Sequence, residues 1–122
     1  MAKTVLVVDD SAGIRQIVSA TLKSAGYEVM EGVDGADALA KLAGHKIHLI
    51  ICDVNMPVMD GISFVKQIKK SADYKFIPII MLTTVSQERK KQEGQAAGVK
   101  AWVVKPFQPE QMLNVVSKLI MP

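Results

Sequence analysis

Four short apolar runs are spaced along the chain, and a polar residue follows each of them. The runs are rich in Val and Ile and do not alternate with polar positions, which is typical of strands buried on both faces of a sheet. A further run at 27–31 predicts one more strand. The four runs, with the residues that follow them, are 5–8 before Asp9 and Asp10, 47–52 before Asp53, 77–82 before Thr83 and Thr84, and 101–104 before Lys105 and Pro106.

Segments with helical spacing separate these strands. In the first segment, Ile14, Val18 and Leu22 recur every four positions, and Ser11 is placed to cap the helix. Strands that alternate with helices predict an α/β domain with a parallel sheet and helices on both faces. The other four predicted helices begin after the capping pair Asp34 and Asp37, after Asp60-Gly61, near Gln87, and at Pro109.

The fourth predicted helix, at 87–97, differs from the others because nearly all of its residues are polar. It contains Gly94, and only Ala96 and Ala97 are available as apolar packing residues. A glycine inside a helix costs about 1 kcal/mol relative to alanine. We therefore expect this helix to be the least stable of the five.

Composition indicates one globular domain over residues 1–122, with 49% hydrophobic residues to form its core. No leader peptide and no apolar stretch of about 20 residues is visible, so we expect a soluble cytoplasmic protein without a membrane partner. Cys52, the single cysteine, lies in an apolar run and is expected in the core. The net charge is +3, but aromatic residues are only 5% and the basic residues are mixed with acidic ones. This pattern does not favour a nucleic-acid partner.

The polar residues that follow the strands suggest a site for chemistry. In a parallel sheet these strand ends share one edge, which is where open α/β sheets bind ligands. Like charges at Asp9, Asp10 and Asp53 would repel one another there, and Mg²⁺ is a suitable counter-charge because it takes carboxylate, phosphate and water oxygens. Lys105 and the hydroxyl of Thr83 suit a phosphoryl group. The alternatives at this stage are that the two adjacent acids only cap the first helix, and that Lys105 is an ordinary surface lysine.

Four motifs carry a resemblance that covers about residues 3–120. They are Val8-Asp9-Asp10, the segment 53–61 from Asp53 to Gly61, Leu82-Thr83-Thr84 and Lys105-Pro106-Phe107. In this order and spacing, the chain resembles the receiver domain of two-component response regulators, and above all the single-domain, CheY-like chemotaxis type. The resemblance implies a flavodoxin-like fold of five β-α units, whose five-stranded parallel sheet has the strand order 2-1-3-4-5.

The resemblance also implies roles for the residues at the predicted sheet edge. Asp53 would be the phosphoacceptor, and Lys105 and Thr83 would each bind an oxygen of the phosphoryl group. Mg²⁺ would be the cofactor. The implied metal ligands are the side chains of Asp10 and Asp53 and the main-chain carbonyl of Asn55, with Asp9 acting mainly through water; the peptide before Pro106 would be cis.

Two residues depart from the usual pattern of the family. The family couples its threonine to a tyrosine or phenylalanine on the last strand, and the matching residue here is Trp102. We expect the larger indole not to turn fully inward. Thr84 stands where alanine or glycine is common, and we expect it to slow dephosphorylation.

The functional prediction is a stand-alone response regulator that takes its phosphoryl group from a histidine kinase. It would act on a downstream protein, such as a flagellar switch component, and would not be an enzyme with a separate substrate. We expect a monomer, and leave association on phosphorylation open. The expected partner surface lies on helix four, strand five and helix five, where basic residues would favour an acidic target; it includes Arg89, Lys90, Lys100, Gln111 and Lys118.

Three other functions stay open at this point. The first two are a receiver fragment of a larger regulator or hybrid kinase, and an interaction module that works without phosphorylation. An enzyme with an aspartyl-phosphate or flavin chemistry is disfavoured. The corresponding phosphatases have a second acid two residues after the nucleophile, where this chain has Asn55, and Asp9 and Asp10 would repel a flavin phosphate.

Overall fold

Strands and helices alternate along the whole described part of the chain. The computed structural model describes residues 2–83, 88–105 and 107–120, and residues 88–91 by their backbone alone. None of the helices within these ranges has the length and apolar character needed to cross a membrane. The elements are β1 Thr4–Val8, α1 Ala12–Ser24, β2 Glu28–Gly32, α2 Gly35–Leu42, β3 Leu49–Asp53, α3 Gly61–Lys70, β4 Ile79–Thr83, α4 Glu88–Ala97, β5 Ala101–Val104 and α5 Pro109–Leu119.

The five strands form one parallel sheet in the order β2-β1-β3-β4-β5, as predicted. β1 pairs with β2 on one side and with β3 on the other, so the chain changes its direction of winding at β1. Ligands of open α/β sheets bind at such a point, outside the carboxyl ends of the strands. Because Val8 pairs with Cys52, the residues that follow them, Asp9 and Asp53, are neighbours at this edge.

Two apolar layers cover the two faces of the sheet. On one face, Val5, Val7 and Ile51 pack with residues of α1 and α5. On the other face, Leu6 and Ile50 pack with residues of α2 and α3. Since both faces are covered, the strand residues are apolar at consecutive positions, and this is the origin of the unbroken apolar runs.

Three strands end later than the apolar runs indicate. β2 extends to Gly32, β3 to Asp53 and β4 to Thr83, so Asp53 and Thr83 are the last residues of their strands and do not follow them. Asp53 pairs with Leu82 in the register, and Thr83 with Val104. Main-chain pairing therefore fixes the backbones of both polar residues.

The predicted helix caps are present. Ser11 Oγ accepts a hydrogen bond from the Ile14 amide at 3.3 Å. Asp34 Oδ1 accepts from the Asp37 amide at 2.8 Å, while Asp37 Oδ2 accepts from the Val33 amide at 2.9 Å, so this helix start is reciprocally capped.

Gly61 lets α3 approach the end of β3 closely. Its amide donates to the Val54 carbonyl at 2.8 Å. A Cβ at this position would meet the Asp53 carbonyl oxygen, and would lie 2.6 Å from Cε of Met81. The start of α3 is therefore packed directly against the backbone of Asp53.

We expect Gly61→Ala to lower the free energy of unfolding by about 1–3 kcal/mol, the usual cost of overpacking. Gly13→Ala is the matched control, because Gly13 is also helical and its Cβ would meet nothing closer than Ser11 Oγ at 3.9 Å. Here the better helix propensity of alanine should raise stability by about 0.5–1 kcal/mol. Urea unfolding of both variants measures the difference, and equal stabilisation by the two substitutions would refute the close approach.

Candidate functional site

Lys105 lies between two buried carboxylates at the carboxyl edge of the sheet. Its Nζ is 3.0 Å from Asp9 Oδ2 and 3.2 Å from Asp53 Oδ1. The side chains of Lys105, Asp9 and Asp53 are 12%, 2% and 9% exposed, so little water screens their charges. The structure therefore brings together the lysine and two of the acids that the sequence placed at strand ends.

The backbone fixes the position of each member of this group. The Lys105 amide donates to the Thr83 carbonyl at 2.6 Å, so β4 holds the residue that follows β5. Asp9 uses its second carboxylate oxygen, Oδ1, to accept from the Ser11 amide at 2.9 Å. Arg15 Nη1 also donates to the Asp9 main-chain carbonyl at 2.6 Å. Asp9 therefore supports the start of α1 and pairs with Lys105 at once, so its role is not limited to the helix start.

The three acids are close enough to share one cation. One carboxylate oxygen each from Asp9, Asp10 and Asp53 lies within 4.8 Å of the others. With the three acids ionised and Lys105 protonated, the group carries −3 + 1 = −2, which a divalent cation would balance. Oxygen-only ligands with Asp10 exposed to water fit Mg²⁺, which keeps several waters.

Asn55 is the fourth residue predicted to bind the metal. It lies two positions beyond the end of β3 and is exposed. Its role as a carbonyl ligand stays a prediction. Pro106 and Thr84 lie outside the described residues, and so do the predicted cis peptide and the predicted effect of Thr84.

The electrostatic environment shifts the pKa values of Asp53 and Lys105. Burial raises the pKa of Asp53, and the nearby charges of Asp9 and Asp10 raise it further, against the opposing effect of Lys105. Burial alone would lower the pKa of Lys105, but hydrogen bonds and charges of Asp9 and Asp53 outweigh it and raise that pKa. Lys105 is therefore held as a cation, while the ionised form of Asp53 is disfavoured.

Two polar atoms are buried near this edge without a hydrogen-bond partner among the described residues. They are Thr83 Oγ1, at the end of β4, and Trp102 Nε1, on β5. Unsatisfied buried donors are rare in native proteins and call for an explanation. The described residues leave the hydrogen-bonding capacity of the Thr83 hydroxyl unused, and its contact with a phosphoryl group stays a prediction.

The indole of Trp102 packs against α4, and the expectation that it does not turn fully inward stays a prediction. Trp102 is half-buried, and a Cβ on Gly94 would lie 2.5 Å from its Cζ2 atom. The same Cβ would lie 3.3 Å from Cδ1 of Ile62 on α3. Gly94 therefore makes the space that the indole occupies. From the sequence, Gly94 is predicted only to weaken its helix. A glycine in one element and a single tryptophan in the next are the signal that could have indicated this contact.

Comparison with known proteins assigns the family. Residues 5–117 match the family model of the response regulator receiver domain. The chemotaxis protein CheY1 of Helicobacter pylori is 42% identical over 107 residues, which cover 86% of this chain and 86% of that protein. The chain belongs to the receiver domain family of response regulators. It is a CheY-like receiver of two-component signalling.

Further comparisons show both short and long relatives. A solved structure of the chemotaxis protein CheY4 of Vibrio cholerae has 51% identity and a TM-score of 0.93, and covers 98% of this chain and 99% of that chain. The probable transcriptional regulator ycf27 of Cyanophora paradoxa is 38% identical over 118 residues. That match covers 97% of this chain and 48% of the regulator, so the chain spans about half of this longer relative.

We expect Asp53→Asn to raise the melting temperature at pH 7 in EDTA, by about 3 °C or more for a domain of this size. Because the folded state raises the pKa of Asp53, the folded protein binds this proton more tightly than the unfolded chain, and ionisation lowers stability. The melting temperature of the wild type should therefore approach that of the variant as the pH falls from 7 toward 4 and Asp53 becomes protonated.

With Mg²⁺ in place of EDTA, the wild type should have the higher melting temperature of the two. Its acidic group should bind the ion more tightly, and a ligand that binds only the folded state stabilises it by mass action. The exposed Asp73 provides a control, because Asp73→Asn removes a carboxylate outside the acidic group. Differential scanning calorimetry measures all of these values. A lower melting temperature for Asp53→Asn in EDTA would contradict the charge repulsion at this edge.

A second prediction concerns the contact between Gly94 and Trp102. We expect Gly94→Ala to lower stability by about 1–3 kcal/mol through overpacking, although alanine is the better helix former. Its Cβ should displace the indole toward water, which shifts the emission of the only tryptophan to longer wavelength. Gln92→Ala, at an exposed position of the same helix, is the control and should leave the emission unchanged. A stabilised Gly94→Ala with wild-type emission would exclude the contact.

Proposed function

We propose that Asp53 accepts a phosphoryl group from a phosphohistidine of a histidine kinase, and that this protein is a phosphorylation-operated signalling switch. The observation that carries the proposal is the convergence of Asp9, Asp53 and Lys105 within hydrogen-bond distance at the carboxyl edge of the sheet. Membership of the receiver family supports it. In this proposal the protein catalyses only its own phosphorylation and dephosphorylation.

The chemistry follows from the residues around Asp53. A carboxylate oxygen of Asp53 attacks the phosphorus atom, the P–N bond to the donor imidazole breaks, and its electron pair leaves with the imidazole nitrogen, which takes up a proton. The Lys105 ammonium, now hydrogen-bonded to Asp53, moves its hydrogen bond to a phosphoryl oxygen. Thr83 Oγ1, which has no described partner, donates to another oxygen.

The acidic group provides a place for Mg²⁺ during this transfer. Asp10, Asp53 and the Asn55 carbonyl would hold the ion, with Asp9 acting through water, and a bound ion would supply positive charge that offsets the carboxylates and the incoming phosphoryl group. Asp9 keeps Lys105 in place through its 3.0 Å contact, and its other oxygen holds the start of α1. Asp10 is exposed and belongs to the same acidic group, so its substitution should weaken metal binding more than it disturbs the fold.

The proposed readout passes from Thr83 to Trp102. Thr83 pairs with Val104, and Met81 pairs with Trp102, so the two side chains lie on the same face of adjacent strands. Movement of Thr83 toward the phosphoryl group changes the packing beside Trp102, which in turn contacts α4 at Gly94. A shift from a 1:99 to a 99:1 population needs about 5.5 kcal/mol. Charge-assisted hydrogen bonds from Thr83 and Lys105, at about 1.5–3 kcal/mol each, can supply most of it.

The proposed partners are a histidine kinase as phosphodonor and a downstream protein that binds the surface of α4, β5 and α5. Lys100, Gln111 and Lys118 are exposed on this surface, whereas the side chains of Arg89 and Lys90 lie outside the described residues. Its exposed lysines favour an acidic target. We place the protein in the cytoplasm as a monomer, with association on phosphorylation as an open part of the proposal.

The process proposed for this switch is chemotaxis, with a flagellar switch component as the target. Similarity to CheY1 and CheY4, which match over most of their length, supports this assignment. A second candidate is the receiver part of a larger transcriptional regulator, and it rests on the match to half of ycf27. Binding of the phosphorylated protein to a purified flagellar switch protein, and not to promoter DNA, would separate the two.

We expect one phosphoryl group on the wild-type protein after incubation with a small-molecule phosphodonor and Mg²⁺. Intact-mass spectrometry measures it, and Trp102 fluorescence follows the readout in the same samples. Asp53→Asn should carry none, and EDTA should abolish the modification of the wild type. Asp73→Asn is the matched control and should be phosphorylated normally.

Thr83→Ala tests the readout apart from the chemistry. It should still be phosphorylated at Asp53 but lose most of the Trp102 fluorescence response, because the hydroxyl that links the two is absent. A folded wild type that never gains a phosphoryl group would overturn the proposal and leave an interaction module. A full fluorescence response in Thr83→Ala would overturn the readout alone.

A further inference from the structure

A groove of about 620 Å³ lies at the sheet edge opposite Asp53. It lies beside Thr4 and Glu28, the first residues of β1 and β2, and its lining includes Val29 and Met30 of β2, the outermost strand. β1 is five residues long, so about 16 Å separates this groove from the carboxyl edge. The residues that line it are Thr4, Lys23, Tyr27, Glu28, Val29 and Met30, together with Gly44, His45 and Lys46.

Only alternate residues of β2 form main-chain hydrogen bonds with β1. In a parallel pair, alternate residues bond to the neighbouring strand, and the Glu28 amide donates to Lys3 while the Gly32 carbonyl accepts from Asp9. The main-chain N–H and C=O groups of Glu28, Met30 and Gly32 therefore point toward β1. Those of Val29 and Glu31 point away from the sheet, because β2 is its last strand.

Only one of these two outward residues has its carbonyl covered by a described side chain. Lys41 Nζ donates to the Glu31 carbonyl at 2.6 Å, which closes that half of the edge. No described residue hydrogen-bonds to the outward amide or carbonyl of Val29, which lines the groove. An open donor and acceptor on an edge strand are a template for another strand.

The two sides of the groove differ in charge. On the α1 side lie Lys23, in the last turn of that helix, and Tyr27, which packs with the α1 and α5 layer. The side toward α2 holds Lys46, His45 and Glu28. The Glu28 side chain points to the opposite face of β2 from that of Val29, and its Oε2 atom is 3.5 Å from Thr4 Oγ1. Glu28 is the one acid among the lining residues, and it lies on the side of Lys46 and not on the side of Lys23.

We propose that this groove binds an extended peptide segment of a partner protein, which adds as a strand to β2 at Val29 and carries acidic side chains on the side that faces α1. Successive side chains of a strand point to opposite faces, so acids at every second position would face Lys23. Residues between them would face Lys46 and Glu28 and need no charge. Main-chain pairing would supply affinity and the acidic spacing would supply selectivity. A second copy of this chain fits less well, because it would bring the positive charges of its own Lys23 and Lys46 to a groove that already contains both lysines.

The test uses the chain 1–122 labelled with ¹⁵N and the capped peptide acetyl-Thr-Glu-Thr-Glu-Thr-amide as the probe. We expect saturable shifts of the Val29 amide and slower hydrogen exchange of that amide in the complex. Lys23→Glu should weaken binding at least tenfold. Lys70→Glu is the matched control, since Lys70 is exposed and also lies in the last turn of a helix, and it should change affinity less than twofold.

Two altered peptides separate strand pairing from charge alone. The same peptide with Gln in place of Glu should bind at least fivefold more weakly, and one methylated on alternate backbone nitrogens should not protect Val29. Equal binding of the methylated peptide, or stronger shifts of the same amides by adenosine monophosphate, would overturn the proposal. So would a concentration-dependent shift of Val29 without peptide, which would assign the edge to a second copy. Asp53→Asn should bind the peptide as the wild type does, so failure of the phosphorylation proposal would not imitate failure here.

Discussion

The ammonium group of Lys105 and the two buried carboxylates beside it are the interaction on which the functional edge of this protein depends. Asp9 and Asp53 lie at the ends of adjacent strands and would repel each other in a region with little water. Lys105 contacts both and reduces this repulsion without removing it, since Asp10 adds a third negative charge. The acidic group thus carries excess negative charge that a divalent cation would balance.

The rest of the fold keeps this edge in register. Parallel pairing with β1 and β4 positions Asp53, and the amide of Lys105 is tied to the carbonyl of Thr83. Glycines bring helices close to the strands at the two points where the site meets its surroundings. Gly61 brings α3 against the backbone of Asp53, and Gly94 brings α4 against the indole of Trp102. The chemistry at Asp53 and the surface on α4 are therefore joined by packed contacts.

The two edges of the sheet differ in kind. The carboxyl edge concentrates acids around a single lysine, whereas the groove at the opposite edge has an open main-chain position at Val29 and one acid, on the side away from Lys23. β1 and β2 run from one of these edges to the other, so the two sites lie at opposite ends of the same strands. Such an arrangement suits a small protein that must meet more than one partner.

Much of the architecture could be predicted from residues close together in the sequence. The apolar runs gave the strands because both faces of the sheet are covered, and Ser11, Asp34 and Pro109 marked helix starts because capping is local. Strand ends were less accurate. Asp53 and Thr83 are polar, yet they remain paired within the sheet, which hydrophobicity does not reveal.

The sequence by itself determined the alternation of strands and helices, the set of polar residues at the strand ends and the family to which their order belongs. Only the tertiary structure decided which of those residues touch, because a contact such as that of Lys105 with Asp9 joins positions 96 apart in the chain. It also decided that Gly94 seats the indole and that the outward groups of Val29 have no described partner. Both depend on which elements become neighbours in space, and spacing along one element carries no information about that.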